Sequence, residues 1–551
     1  MNRVEIAQPF EEGIHAQLVR VIGMLDRERF SPTSGCFDRT FWCWKFVDFP
    51  GARFQEGLCV LSYVWAHDHP GNPYFKNPQL LEWISQGFEF WCRIQRREGD
   101  FDEAYPLERS LAATAFTTFY LCEAFGFLDG ALPTETSERF IAGVERAGDW
   151  LCHNDETHGF LSNHLAAAAG ALLHAHRITS HVRFSERAWT FLDRILDHQS
   201  SEGWYNEYGG ADVGYQTHGS FYLARCLDLS PSDRLERSLS EAMRYLAHFV
   251  HPDGSIGGEY SSRNTQTYYP AAFEMLAERC GSARWIAEAM RPSVRSLEAA
   301  GLGSVDLYNL FPLLNNYVFA HRAILQDRTV GPEPIAPFGP MGGRAHFPHA
   351  GLLIEDRPAY RAIVGLAKGG VLKVFEHESG QLVASDCGYV GRLESGRVVS
   401  SQIDDRDRPI EVDGDSVHIQ GRFAQVSRPV MSPIPFLGFR VFTLTLGRFP
   451  AVAKWLKAFL VKALIYRKRD LDLRFVRTIR FLDHAVEVED RLEGKAPVAE
   501  LEQVDFFTTI HMGSSRYFVP HEIRLANASL DPVLPESLRH GVVRKRTIRV
   551  G

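Results

Sequence analysis

The sequence predicts a multidomain chain, helical first and β second: an incomplete (α/α)6 toroid followed by an antiparallel β-sandwich domain. Three observations carry this. Residues up to about 325 show apolar positions at helical spacing in one segment after another. A Pro- and Gly-rich stretch, VGPEPIAPFGP at 330–340, then interrupts the pattern as linkers do. Beyond it the spacing changes to alternation and short runs rich in β-branched and aromatic residues. The expected boundaries are 1–328 for the toroid, 329–342 for the linker and 343–551 for the sandwich domain. A chain of 551 residues is also too long for one core, so two large domains are the default.

In the first half, 79–92, 107–125, 138–152, 164–176, 186–198, 235–250 and 285–297 read as helices. About twelve are expected, which makes six hairpins. The segments before alternate helices are chemically alike. DFPGARFQEG, GDFDEAYPLERS, HGFLSNH, EGWYNEYGGADVGYQTHGS and DGSIGGEYSSRNTQTYYP each carry a Gly-bearing turn, an aromatic or apolar residue, then Glu, Asn or Tyr. Starts fall near Arg53, Leu107, Leu161, Asp212, Gln266 and Val305, a repeat of roughly fifty residues, the length of a two-helix unit. Six hairpins closed into a ring place alternate helices inside, with their N-terminal ends at one mouth. Those ends carry free N–H groups and the positive end of the helix dipole, so the mouth suits an anion such as a sugar carboxylate. An open solenoid with polar turns is the other arrangement the repeat allows.

In the second half, AYRAIVGL, GVLKVFEH, RPIEVDGDSVHIQG, GFRVFTLTL, LRFVRTIRFL and HAVEVEDRL read as strands. The segment AVAKWLKAFLVKALIYRKR, from Ala451, differs. Val452, Trp455, Leu456, Phe459, Leu460, Ala463 and Leu464 fall at helical spacing, with Lys454, Lys457 and Lys462 off the stripe. An inserted amphipathic helix near 449–468 is expected, packed on its own domain rather than lying on a membrane.

Composition excludes some partners. Net charge is −8, and the first 440 residues hold no long basic run, so the chain is not expected to bind nucleic acid. The N-terminus lacks the apolar core of a secretory signal, and the apolar run 165–173 is too short to span a bilayer. Nine cysteines are scattered singly, without CxxC pairs, which predicts reduced thiols in the cytoplasm and neither a disulfide framework nor a zinc ribbon. No metal and no cofactor is expected.

Four constellations precede the inner helices. Asn163 and His164 open one. Tyr215 opens the next, with Asp212, Gln216 and His218 near it. Glu259, Tyr260, Arg263, Asn264, Tyr268 and Tyr269 precede the fifth, and Asp100, Glu103, Tyr105 and Glu108 the second. Gln55, in the first such segment, joins the candidate lining. This kit suits β-elimination from a uronic-acid chain. The proton α to a carboxylate is not acidic until the carboxylate's charge is neutralised, which Asn, His and Arg can do. A tyrosine can then take the C5 proton and return one to the departing O4, provided positive charge such as Arg263 stabilises its phenolate. Each residue also has a plain reading: Asn163 as a helix N-cap, His164 as a core histidine, Tyr215 as a buried tyrosine bonded to a loop. Glu103, Glu207, Asp212 and Glu259 could instead supply the two carboxylates of a toroid-type glycoside hydrolase. A non-catalytic protein of polysaccharide synthesis or export is a third reading.

The layout resembles the heparinase II/III-like family and related alginate and oligo-alginate lyases. The specific matches are Asn163-His164 in GFLSNH and Tyr215 in GYQT. The resemblance implies an acidic polysaccharide or oligosaccharide as partner, Asn163 and His164 holding the uronate carboxylate, and Tyr215 as base or acid. Arg263, Asn264, Tyr269, Glu259, Gln216, His218, Glu103, Tyr105 and Gln55 would bind substrate. The β-domain departs from the family pattern. In KGGVLKVFEHESGQLVASDCGY, Asp386, Gly388 and Tyr389 fit its end, but Lys368, Gly369 and Gly370 stand where histidines would be. No metal site is therefore implied there, and His346, His349 or Tyr389 would have to replace the second proton-transfer residue.

Overall fold

A computed structural model describes the chain apart from residues 1, 70, 157–158, 297–298, 327–330, 340, 427–429, 450, 454, 457–469, 508, 510–515 and 526–531. Its first half alternates outer and inner helices. The outer ones are α1 (Arg3–Met24), α3 (Pro78–Ile94), α5 (Thr134–His153), α7 (Val182–Asp197), α9 (Asp233–Ala247) and α11 (Gly281–Met290). The inner ones are α2 (Gly57–Ala66), α4 (Leu111–Leu128), α6 (Ser162–Thr179), α8 (Val213–Leu229), α10 (Ala271–Leu276) and α12 (Leu307–Leu325).

Sequence decides which helix goes where. α4 and α6 are apolar all round and buried along nearly their whole length. α7 and α9 keep charged residues on one side and bury the other, as surface helices do. Each inner helix touches the next, and α12 returns against α2, so the inner ring closes and the solenoid arrangement is ruled out. The ring is thinnest at α10, with 6 residues. Among the described residues, Leu111–Leu128 is long and apolar enough to cross a membrane, but 83% of it is buried inside the ring. The expected starts were close: inner helices begin at 57, 111, 162, 213, 271 and 307.

A small hairpin, β1 (Asn206–Glu207) and β2 (Gly210–Ala211), leads into α8. The second half holds two antiparallel sheets. The first runs β3 (Gly343–Phe347), β4 (Leu352–Asp356), β5 (Tyr360–Gly365), β6 (Val371–Glu376), β7 (Leu382–Asp386), each beside the next. The second contains β8 (Tyr389–Leu393), β9 (Val398–Ser400), β10 (Ile410–Asp413), β11 (Ser416–Val426), β12 (Asp470–Leu482), β13 (Ala485–Gly494), β14 (Val498–Gln503) and β15 (Val542–Arg549). Its order is β14-β8-β9-β11-β12-β13-β15, with β10 on β11.

Within the first sheet β4 and β6 are buried on both faces, so each buries successive residues rather than alternate ones, Glu355, Asp356 and Lys373 among them. One face, with Leu353, Val364, Leu372 and Val374, packs on Val417, Ile419, Phe475 and Ile479 of the second sheet. The other, with Leu352, Ile354, Ile363, Val371 and Phe375, joins the core of the toroid.

One strand expectation fails. GFRVFTLTL belongs to a helix, α13 (Pro433–Thr445). β11 and β12 pair directly, so a segment between them falls outside the ladder, and Pro433 opens it as a helix. α13 leans on the toroid, where Phe439 meets Tyr105 at 5.1 Å and Arg440 pairs with Asp48 at 3.2 Å. The amphipathic helix expected near 449–468 falls mostly outside the described residues; 451–453 and 455–456 are helical.

Candidate active site

Asn163 is not an N-cap. The cap of α6 is Leu161, and Asn163 is the second helical residue. Its backbone N–H donates to Glu207 Oε1 at 2.9 Å, and its side-chain amide donates to Glu207 Oε2 at 2.9 Å. The β1–β2 hairpin thereby clamps the start of α6. An amide carries two protons, so one remains for a ligand. Burial pushes Glu207 well above the usual carboxylate range, despite the Asn163 donors.

His164 is part-exposed, with its Nδ1 hydrogen-bonded to Glu156 at 2.6 Å. That contact fixes the ring and leaves Nε2 without a partner among the described residues. The Glu156–His164 pair is the arrangement by which a carboxylate orients an imidazole.

Tyr215 lies in the first turn of α8, and its backbone N–H is capped by Asp212 Oδ1 at 3.0 Å. The side chain is part-exposed, and its hydroxyl meets no hydrogen-bond partner among the described residues. Charge on Tyr215 bears on Tyr208, Tyr269 and Tyr517, and charge on Glu156 bears on Tyr208 as well. His164's anchor and Tyr215 thus face one phenol. Arg263 stacks its guanidinium 4.4 Å from the Tyr208 ring, bringing positive charge to the same wall. Tyr208 and Asn264 both hold left-handed backbone, at φ 55° and 61°. Such conformations are costly for a bulky residue and collect where a site imposes them.

Behind this lies an aromatic floor. His218 stacks on Tyr269 at 4.2 Å and bonds the Tyr222 hydroxyl at 3.0 Å. Burial, with Arg53 and His164 nearby, holds His218 well below the usual imidazole value, so it is a neutral stacking surface. Arg53 covers Phe116 at 4.5 Å and pairs with Glu56 at 2.8 Å and Glu103 at 3.5 Å.

Several expected ligands are struts instead. Gln55 accepts from the Phe37 N–H and donates to the carbonyls of Gly35 and Gly87, so its amide is used up inside the protein. Gln216 accepts from the Tyr205 N–H. Asn264 is buried and accepts from Lys368 Nζ at 2.8 Å. Glu259 is sealed between Lys373 at 3.0 Å and Arg516 at 3.4 Å. Burial alone would raise it, but Lys373 and Arg516 more than offset this and hold it below the usual carboxylate value. Tyr105 packs on α13.

The β-domain also corrects the expectation. Tyr389 is buried in the sandwich core and donates to Asp490. Asp386 is buried against Arg477 and Arg546. His346 and His349 belong to β3 and its following turn, where His349's backbone N–H bonds Glu202 and the intervening Phe347 packs on Tyr245 of α9. What the domain sends to the mouth is Lys368, Lys373, Arg516 and Tyr517, the last donating to Asp306 at 3.2 Å. Their partners lie about 100 to 260 residues away in sequence, so no local pattern marks them.

The four carboxylates considered for hydrolysis are all committed. Glu103 meets Arg53 and the Ser110 hydroxyl, and Glu207 meets Asn163. Asp212 accepts from Tyr215, Ser261, Arg263 and Thr265, and Glu259 is ion-paired.

Residues 84–272 match the family model described as the ulvan lyase N-terminal domain. No curated protein sequence matches the chain. Among solved structures, the Streptomyces coelicolor chondroitin AC lyase, in complex with chondroitin sulphate, superposes with a TM-score of 0.55 at 13% identity, over 92% of this chain and 68% of that one. A Paenibacillus xanthan lyase gives 0.54 at 10% identity, over 90% of this chain and 46% of that one, so the chain spans less than half of that enzyme's length. At such identities the likeness is one of fold, and the fold is an α/α toroid joined to an antiparallel β-sandwich.

Proposed function

We propose that the protein is a polysaccharide lyase that cleaves a uronic-acid-containing polysaccharide or oligosaccharide by β-elimination. One observation carries this: at the mouth, the groups that could bind a carboxylate and move a proton are unspent, whereas the carboxylates a hydrolase would need are spent. Asn163 keeps an amide proton, His164 keeps Nε2 and Tyr215 keeps its hydroxyl. In this reading Asn163 and His164 hold the uronate carboxylate and draw charge from the developing enolate. Tyr215, with Arg263 nearby, takes the C5 proton and passes one to O4 as the bond to it breaks, leaving a C4–C5 double bond. The matched ulvan lyase segment, residues 84–272, contains all three residues. Within lyases of this architecture, the Asn-His and Tyr motifs favour the heparinase II/III-like branch.

The test is absorbance. Incubation with a panel of uronate polymers should generate the ultraviolet band of the C4–C5 double bond. New reducing ends without that band would mean hydrolysis, and neither signal would point to the non-catalytic role in synthesis or export. We place the protein in the cytoplasm, a reading supported by nine unpaired cysteines.

A further inference from the structure

The inner helices α6 and α8 open at the mouth, and the opposite pole of the ring holds a second cluster. Glu11 comes from α1, His67 and His69 from the loop after α2, and His321 from the last turns of α12. Glu11, His67 and His321 each offer a ligand atom, and these atoms lie within 4.8 Å of one another. His69 Nε2 contacts Glu11 Oε2, and His321 Nε2 lies 3.9 Å from that oxygen. The His67 and His69 rings stack at 5.9 Å.

Glu11 Oε1, His67 Nε2 and His69 Nδ1 are buried there without a hydrogen-bond partner. Unspent polar atoms converging in a protein interior are costly unless they bind something. Two imidazoles and one carboxylate form a mixed nitrogen and oxygen donor set, and the His69 ring, with its Nε2 on Glu11, stands beside it as the nearest further imidazole. That set suits zinc and its neighbours rather than magnesium or calcium, which take oxygen. Tetrahedral zinc holds its ligands at about 2.0–2.2 Å, so the ligand atoms need to close by about an ångström. The Tyr63 hydroxyl bonds His321 Nδ1 at 2.7 Å, the outer contact that fixes a ligating ring and turns its Nε2 to the metal. A cleft lined by Tyr63, His67, Phe127 and Arg322 opens beside the cluster as a path of entry.

We propose that this cluster binds one divalent transition-metal ion of the zinc class, through Glu11, His67 and His321 with His69 as fourth ligand. The ion is structural. It joins the first two helices of the ring to the last, where α12 meets α1 and α2, and so bolts the toroid shut far from the substrate. Metal bound only by the folded chain stabilises it by mass action.

The full chain, stripped with a chelator, is titrated with Zn2+ and separately with Co2+. We expect one ion per chain by elemental analysis and the visible absorption of tetrahedral Co2+. Zn2+ should raise the melting temperature by about 5–10 °C. His67→Ala, in a part-exposed loop, and Glu11→Gln should each lose the cobalt band and most of the thermal shift. Polymer cleavage at a temperature where both forms are folded should be unchanged. No band and no shift in the wild-type chain would overturn the proposal. So would a band that survives His67→Ala combined with Glu11→Gln, since the ion would then lie elsewhere.

Discussion

Asn163 spends one amide proton on Glu207 and offers the other, and His164 spends Nδ1 on Glu156 and offers Nε2. Such half-spent groups separate a ligand from a strut, since Gln55 has nothing left. Tyr215→Phe should lower kcat about a hundredfold or more and leave KM near its wild-type value, because the hydroxyl acts as the proton moves. Asn163→Ala should raise KM and lower kcat together, measured on whichever polymer the chain cleaves. Glu156→Gln removes the carboxylate that orients the His164 ring, so KM should rise while the melting temperature stays near that of the wild type, a split that a merely structural role would not give. Sequence singles out Asn163, His164 and Tyr215 as candidates because each is tied to a helix start, and the structure places all three in first turns of inner helices. Arg53, Tyr208 and the β-domain cations are not singled out, because what defines them is a contact with a distant segment, and Glu156 is not because no motif marks its pairing with His164 across the intervening loop.

Among the elements, the turn between β2 and α8 ties two neighbouring loops together. Asp212 caps α8 through Tyr215 and also gathers Ser261, Arg263 and Thr265 from the next loop. Asp212→Ala should cost about 3 kcal/mol or more, since it removes a cap and strands buried donors. Urea unfolding would measure it, and activity should fall further than stability because both walls of the mouth are loosened. The helices were readable from their 3.6-residue spacing and from α4 and α6 being apolar throughout. α13 was not, because GFRVFTLTL has strand composition and only the pairing of β11 with β12 excludes it from the sheet. Its Ile434 and Leu437 are largely exposed, at 84% and 64%. Replacing both by Ser should change stability by less than about 0.5 kcal/mol and reduce aggregation, measured by melting and light scattering.

At the scale of the whole molecule, the two halves share a core, and Leu352, Ile354 and Phe375 of the first sheet belong with the toroid's interior. A composition shift at 330–340 lies between the last inner helix, ending at Leu325, and β3, starting at Gly343, but no local pattern says which distant segments cover the two faces of β4 and β6. A fragment of residues 1–330 should remain helical by circular dichroism yet melt lower than the full chain, since it exposes that face. Deeper in the sandwich, Arg477 lies buried between Asp386 and Asp490. Burial alone would raise Asp386, but Arg477 and Arg546 more than offset it and hold it below the usual carboxylate value. A depressed carboxylate contributes stability above its unfolded pKa, near 3.9, and loses it as pH falls through the lower folded value. The wild-type chain should therefore weaken steeply only below about pH 4. Arg477→Met should cost about 3–5 kcal/mol at neutral pH, and the gap should narrow on acidification as the stranded carboxylates take up protons.

The pairing of Glu259 with Lys373 and Arg516 also governs how far the two halves can move against each other. Two halves joined by a dry ion pair cannot swing apart without stranding a charge that has already lost its water. Opening the mouth as a jaw opens is therefore disfavoured, and a rigid mouth is the expectation. On the lyase reading proposed above, a long product would leave such a mouth by sliding, and shortening the substrate, rather than loosening the protein, is expected to speed its release.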